Sequence, residues 1–151
     1  MKIISHRGNI RGEVPNRENA PSYIDCAIGN GYDVEIDLRV VDGELWLGHD
    51  EPQYKVTHRW IRERRNSLWI HCKNLEAAKQ SWIYQAFCHT GDPFVFTSTG
   101  HIWLHDLGSV IDEKTIIPLL SKDDVEQFSH LHQNSFGVCT DYPSLLCKYL
   151  L

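Results

Sequence analysis

Asp33, Glu35 and Asp37 alternate with Val34, Ile36, Leu38 and Val40 in one unbroken run. Successive side chains of a strand point to opposite faces, so the acids share one face and the apolar residues the other. Two readings fit that alternation: a surface strand with a solvated acidic face, or a strand whose acids converge on a cation. Glu35 and Asp37, two residues apart, can both aim oxygen atoms at one hard cation such as Mg²⁺ or Ca²⁺. On a buried face two unpartnered carboxylates would be so costly that a metal or a cationic group is required. Asp33 lies one strand step earlier and is assigned a supporting role.

Other strand ends carry groups that suit the same chemistry. His6-Arg7-Gly8 follows the apolar run Ile3-Ile4, His49 follows Leu45-Trp46-Leu47-Gly48, and His71 and Lys73 stand two apart beside Trp69, Ile70 and Cys72. A lone strand-end histidine is more often structural than catalytic. His6 and His49 together, each titrating near neutrality, make an acid and base pair that flanks the cation. Arg7 offers a planar fork for a phosphate, and Lys73 a point charge. The His71 imidazole can complete a Glu, Asp, His ligand set with Glu35 and Asp37. Glu18, Trp69 and His89 are further candidates for the pocket wall.

The elements that must position these groups can be traced along the chain. Met1 to Ser5 predicts a short buried strand, followed by a polar loop to Asn16. Pro21 suits the first turn of a helix through Ile28, closed by Gly29-Asn30-Gly31. The acidic strand then runs into Asp42-Gly43, a strong hairpin signal between apolar runs. A basic helix is expected over Val56 to Arg65, a strand over Leu68 to Cys72, and a helix over Leu75 to Ala86. Beyond Cys88 come short apolar runs at Phe94–Thr97, Ile102–Leu104, Ile116–Leu120 and Phe136–Thr140, with one helix at Lys122–Leu131. About eight strands in βα order predict an α/β fold. The expected form is a compact, trimmed TIM-like (β/α) barrel with parallel strands and an added β-hairpin after strand 2. The chain is far shorter than the ~250 residues such a barrel usually takes, so loops and helices must be missing.

The 151 residues show no linker or repeat and are read as a single domain, residues 1–151. With 42% hydrophobic residues they can bury a sizeable core, and a formal charge of −5 argues against a general nucleic-acid binder. No apolar run approaches the ~18 residues of a membrane span, and the amino terminus lacks a signal-peptide pattern. A cytoplasmic location is expected. Five cysteines without CxxC spacing suggest free thiols, not a disulfide framework or a thiolate zinc site.

The combined pattern resembles the glycerophosphodiester phosphodiesterases, within the wider phosphatidylinositol-phospholipase-C-like barrels. The likeness rests on His6-Arg7-Gly8, Arg17-Glu18-Asn19-Ala20, Gly31 to Asp37, the Asp42-Gly43 hairpin, His49-Asp50 and Thr140-Asp141-Tyr142-Pro143. It implies metal-dependent cleavage of a small-molecule phosphodiester, with His6 and His49 as acid and base and Glu35 and Asp37 as metal ligands. Relatives of that kind usually place a third carboxylate where this chain has His71, with the lysine retained as Lys73. One negative charge fewer weakens Mg²⁺ or Ca²⁺ and tilts the site towards Mn²⁺ or Zn²⁺. The Trp69 to Asn74 and Thr97 to Trp103 segments are similar to a compact bacterial subgroup. The alternative expectation is a non-catalytic phospho-ligand or sugar-phosphate binding protein with a degenerate metal site.

Overall fold

The computed structural model describes residues 1–150, and the side chains of all of these except residues 131 and 132. Its sheet is built on the acidic strand, β2 (Asp33–Val41), with β1 (Lys2–His6) preceding it. Three neighbours pair with β2. Its first residues run parallel to β1, with Ile4 opposite Asp33 and His6 opposite Glu35. Its other edge runs parallel to β5 (Leu68–Cys72), with Glu35 opposite Trp69 and Asp37 opposite His71. Its last residues turn back through Asp42-Gly43 and pair antiparallel with β3 (Glu44–Leu47). Asp42 and Gly43 both have positive φ, 51° and 79°, as a tight primed hairpin turn requires.

The remaining strands are β4 (Tyr54–Val56), β6 (Ala86–Phe87), β7 (Phe94–Phe96), β8 (Ile102–Leu104), β9 (Thr115–Pro118) and β10 (Gly137–Thr140). A parallel ladder runs β6-β5-β2-β1-β10-β9-β8, while β3, β4 and β7 pair antiparallel. Five α-helices, each of seven to nine residues, pack around this sheet: α1 (Pro21–Gly29), α2 (His58–Arg64), α3 (Leu75–Ser81), α4 (Lys122–Phe128) and α5 (Pro143–Tyr149).

The expected parallel (β/α) barrel is therefore corrected to a curled, open sheet of mixed direction. Its strand ladder ends at β6 and β7 and does not close. The reason is connection length: a parallel return needs a dozen or more residues, and residues 97–101 between β7 and β8 are too few, so β8 returns antiparallel. The helix expected through Ala86 stops at Ser81, because Ala86 and Phe87 pair with β5 as β6. Ser98 ties the seam on the far side, its N–H donating to the Ala86 carbonyl at 2.7 Å and its Oγ accepting from the Ala86 N–H at 2.9 Å.

Alternation along β2 places two of the three apolar clusters found among the described residues. Val34, Ile36, Leu38 and Val40 face outward into a cluster with Ile24 and Ala27 of α1, Leu68 and Ile70 of β5, and Ala77 of α3. The concave side holds Ile4, Trp69, Phe87, Trp103, Ile116 and Cys139. Asp33 lies low on that side, where it accepts from Trp69 Nε1 at 3.0 Å and from Lys2 Nζ at 3.1 Å. Its role is structural, closing the layer beneath Glu35 and Asp37.

Gly48 shapes the return of the hairpin towards the site. Its φ is +149°, and a Cβ there would lie 2.0 Å from the Glu51 carbonyl oxygen. No backbone oxygen can tolerate that approach. Gly48→Ala is expected to lower stability by at least about 2 kcal/mol and to displace His49. Thermal melting with a spectrum of the His49 ring resonances checks both effects.

Candidate metal centre

The parallel strands deliver their carboxyl ends to one rim, and the chemistry-bearing residues gather there. Glu35 and Asp37 are 2% and 0% exposed, so the acidic face is not a solvated one. With His71 they form a group whose ligand atoms all lie within 4.8 Å of one another. His71 Nδ1 is 3.6 Å from Glu35 Oε1 and 3.4 Å from Asp37 Oδ1. Glu35 Oε2 and Asp37 Oδ1 are buried and have no hydrogen-bond partner. An orphaned Asp37 oxygen beside His71 Nδ1, and a Glu35 carboxylate with one oxygen near that nitrogen and the other orphaned, are donors a divalent cation takes, so the residues fit such an ion.

The surrounding residues hold this group in place. Asn19, with φ 61°, turns its amide across to Asp37, donating from Nδ2 to Oδ2 at 2.9 Å and accepting from the Asp37 backbone N–H at 2.9 Å. Arg7, also left-handed at φ 53°, lays its Nε 3.0 Å from the same Oδ2 and donates from Nη1 to Glu18 at 3.0 Å. A non-glycine residue held at positive φ stores strain that the ion pairs must offset. Asp37 Oδ2 is thus tied off, and Oδ1 is left without a hydrogen bond, 3.4 Å from His71 Nδ1. Lys73 Nζ stands 3.8 Å from that Oδ1.

The two imidazoles closest to the carboxylates have assignable ring orientations, since each must donate a proton to its oxygen acceptor. His71 Nε2–H donates to the His89 carbonyl at 3.4 Å, which turns Nδ1 towards Glu35 and Asp37. His6 Nδ1–H donates to Asp141 Oδ1 at 2.8 Å, which turns Nε2 into the cavity, 3.9 Å from Glu35 Oε2. Asp141 is fully buried and also accepts from Asn9 Nδ2 at 2.7 Å.

The charge states follow from these contacts. Burial drives the Asp37 carboxyl up, but His71, Arg7 and Asn19 outweigh it and hold Asp37 well below the usual carboxylate range. Burial lowers His71, yet the facing Asp37 and Glu35 carboxylates raise it to about 9. Burial also lowers His6, and the bond to Asp141 and the charge of Glu35 bring its pKa above the ordinary histidine value. Without a cation, the two carboxylates are matched by imidazolium and guanidinium groups.

His49 stands further out. Its side chain is 42% exposed, and Nδ1 lies 2.7 Å from Asp50 Oδ1. It lines a cavity of about 170 Å³ with His6, Arg7, Glu35, His71 and His89. It also borders two neighbouring hollows. One, of about 350 Å³, includes His6, Arg7 and Glu18; the other, of about 680 Å³, includes His71, Lys73 and His89. Nine of the ten predicted site residues therefore line one rim or fix those that do. Trp69 instead lies beneath, fully buried and bonded to Asp33.

Asn9, Asn19 and Asp141 are site residues that sequence reasoning did not select. Asp141 follows β10 as His6 follows β1, and those strands pair in parallel with Ser5 opposite Thr140. A carboxylate directly after a strand was the available signal. No family model matches the chain, and no curated protein matches it.

Proposed function

We propose that this chain is a metal-dependent phosphodiester hydrolase, similar in chemistry to the glycerophosphodiester phosphodiesterases, acting on a small phosphodiester. The observation that carries this reading is the pair of buried carboxylate oxygens on Glu35 and Asp37 that lack hydrogen-bond partners, next to a cavity lined by Glu35 and by His6, whose ring Asp141 orients. Glu35, Asp37 and His71 would hold a divalent cation, with Mn²⁺ or Zn²⁺ favoured by the imidazole and Mg²⁺ or Ca²⁺ by the carboxylates. When bound, the cation supplies charge neutralisation at a non-bridging phosphate oxygen.

The chain's own residues carry the proton traffic. His6 Nε2 takes the proton of the attacking hydroxyl as its oxygen bonds to phosphorus, and Asp141 stabilises the imidazolium that results. His49, at the open side of the cavity, gives a proton to the leaving alkoxide as the ester P–O bond breaks. Arg7 and Lys73, both anchored on Asp37, place positive charge at the edge where the phosphate sits. No helix among the described residues is long and apolar enough to cross a membrane. The five free cysteines suit the reducing cytoplasm, where we place the chain.

One observation favours a second reading, a non-catalytic phospho-ligand binding protein. The His71 ring lies against both carboxylates, so its imidazolium can take the place of the cation. Incubating the protein with bis(p-nitrophenyl) phosphate and with glycerophosphodiesters, each with Mg²⁺, Ca²⁺, Mn²⁺ or Zn²⁺, separates the two. Hydrolysis is expected to yield one phosphomonoester and one alcohol per event and to stop when a chelator is added. Phosphate-ester binding without turnover under every metal would favour the second reading.

A further inference from the structure

A cavity of about 490 Å³ opens beyond β1, β9 and β10, lined by Arg11, Lys122, Tyr142, Ser144, Leu145 and Lys148. Three of these six residues are cations, two carry hydroxyl groups and none is a carboxylate. That composition runs against the chain as a whole, whose formal charge is −5. It also differs from the metal centre, where Arg7 and Lys73 are matched by Asp37 and Glu18. Among the described residues Arg11 and Lys148 have no carboxylate at ion-pair distance, and Lys122 meets only Glu126, at 3.5 Å. Like charges gathered around one hollow repel one another unless an anion lies between them.

The hollow is held by the backbone on two sides. Ser144 N–H donates to the Ile10 carbonyl at 3.1 Å, and Gly12 N–H to the Asp141 carbonyl at 2.8 Å. Gly12 sits so close to Tyr142 that a Cβ on it would lie 3.1 Å from the ring. The segment bearing Arg11 is thereby clamped against the junction bearing Tyr142 and Ser144. The backbone that carries these groups is therefore held before a ligand enters, which lowers the ordering cost of binding.

We propose that this cavity is a second anion site, separate from the metal centre, that takes a phosphate monoester on a small ring-bearing or apolar stem. A dianionic phosphate matches the cations, with the Arg11 fork suited to two of its oxygens and the lysines to its charge. The Tyr142 and Ser144 hydroxyls supply neutral contacts, and Leu145 with the Tyr142 ring packs the stem. The volume exceeds what inorganic phosphate needs and lies in the range of small-ligand pockets. This site stands independently of the hydrolase reading.

The test is a calorimetric titration of the full chain with phenyl phosphate and with inorganic phosphate, at low salt and with a chelator present. One saturable site is expected, with phenyl phosphate binding more tightly. Affinity should fall about tenfold or more in R11A/K148A and weaken with added salt, while R59A, which removes an exposed cation of α2 outside the cavity, binds as wild type does. Both cations are exposed, so the variant's melting temperature should match that of the wild type. Parallel sedimentation with phosphatidic acid vesicles distinguishes a lipid headgroup, which would pull the chain down through Arg11 and Lys148, from a soluble ester, which would not. Equal affinity in wild type and R11A/K148A, or no saturable binding, overturns the proposal.

Discussion

His6→Ala is expected to lower phosphodiester turnover by about 10²–10⁴-fold, while cation binding at Glu35 and Asp37 remains. The His6 ring is fixed by the fully buried Asp141 carboxylate, at 2.8 Å, with its other nitrogen turned into the cavity. Alanine removes the base without removing any proposed metal ligand. Asp141→Asn should lose much of the same rate by a different route. The amide can donate to Nδ1 and so favour the tautomer with its proton on Nε2, where a base needs a lone pair. Steady-state kinetics on both variants, with calorimetry of the cation, checks the separation of roles. Unchanged turnover in His6→Ala would remove His6 from the mechanism.

Asp37→Ala should have the largest effect on folding, a loss of about 3–5 kcal/mol. Asp37 is fully buried and receives Arg7, Asn19 and His71 on its two oxygens. Truncation leaves the Arg7 guanidinium, mostly buried and already at a strained φ, with Glu18 as its remaining carboxylate partner. It also strands the Asn19 amide. The contrast is Asp50→Ala: that carboxylate is 92% exposed, and its pairing with His49 contributes little to stability. Urea unfolding of the two variants should show a large fall in midpoint for Asp37→Ala and almost none for Asp50→Ala. Similar midpoints would mean that the Asp37 network is not a stabilising one.

What the sequence made legible was local. The alternation from Asp33 to Val40 put Glu35 and Asp37 on one face, and Asp42-Gly43 marked the hairpin, because a two-residue period and a φ > 0 turn are written in adjacent residues. His71 and Lys73 followed from the same period on the next parallel strand. Asp141 was not legible as a partner of His6, since the 135 residues between them are brought together only by the pairing of β1 with β10. Asn19 was hidden too: it sits just before the Ala20 cap of the helix that Pro21 opens, and spends its amide on Asp37, 18 residues away. Strand direction was equally hidden. Phe94-Val95-Phe96 is apolar whichever way it runs, and only the short link to β8 makes it antiparallel. Trp69 shares a strand face with His71, but the chain places it a layer lower, where its indole serves Asp33.

The central claim is that Glu35, Asp37 and His71 hold a divalent cation, and calorimetric titration with Mn²⁺ tests it most directly. The wild-type chain should bind one ion, and Glu35→Gln/Asp37→Asn should bind none at that site while still giving a folded far-ultraviolet spectrum. No binding by the wild-type chain, or equal binding by the folded double variant, would contradict the assignment of these residues as a metal centre.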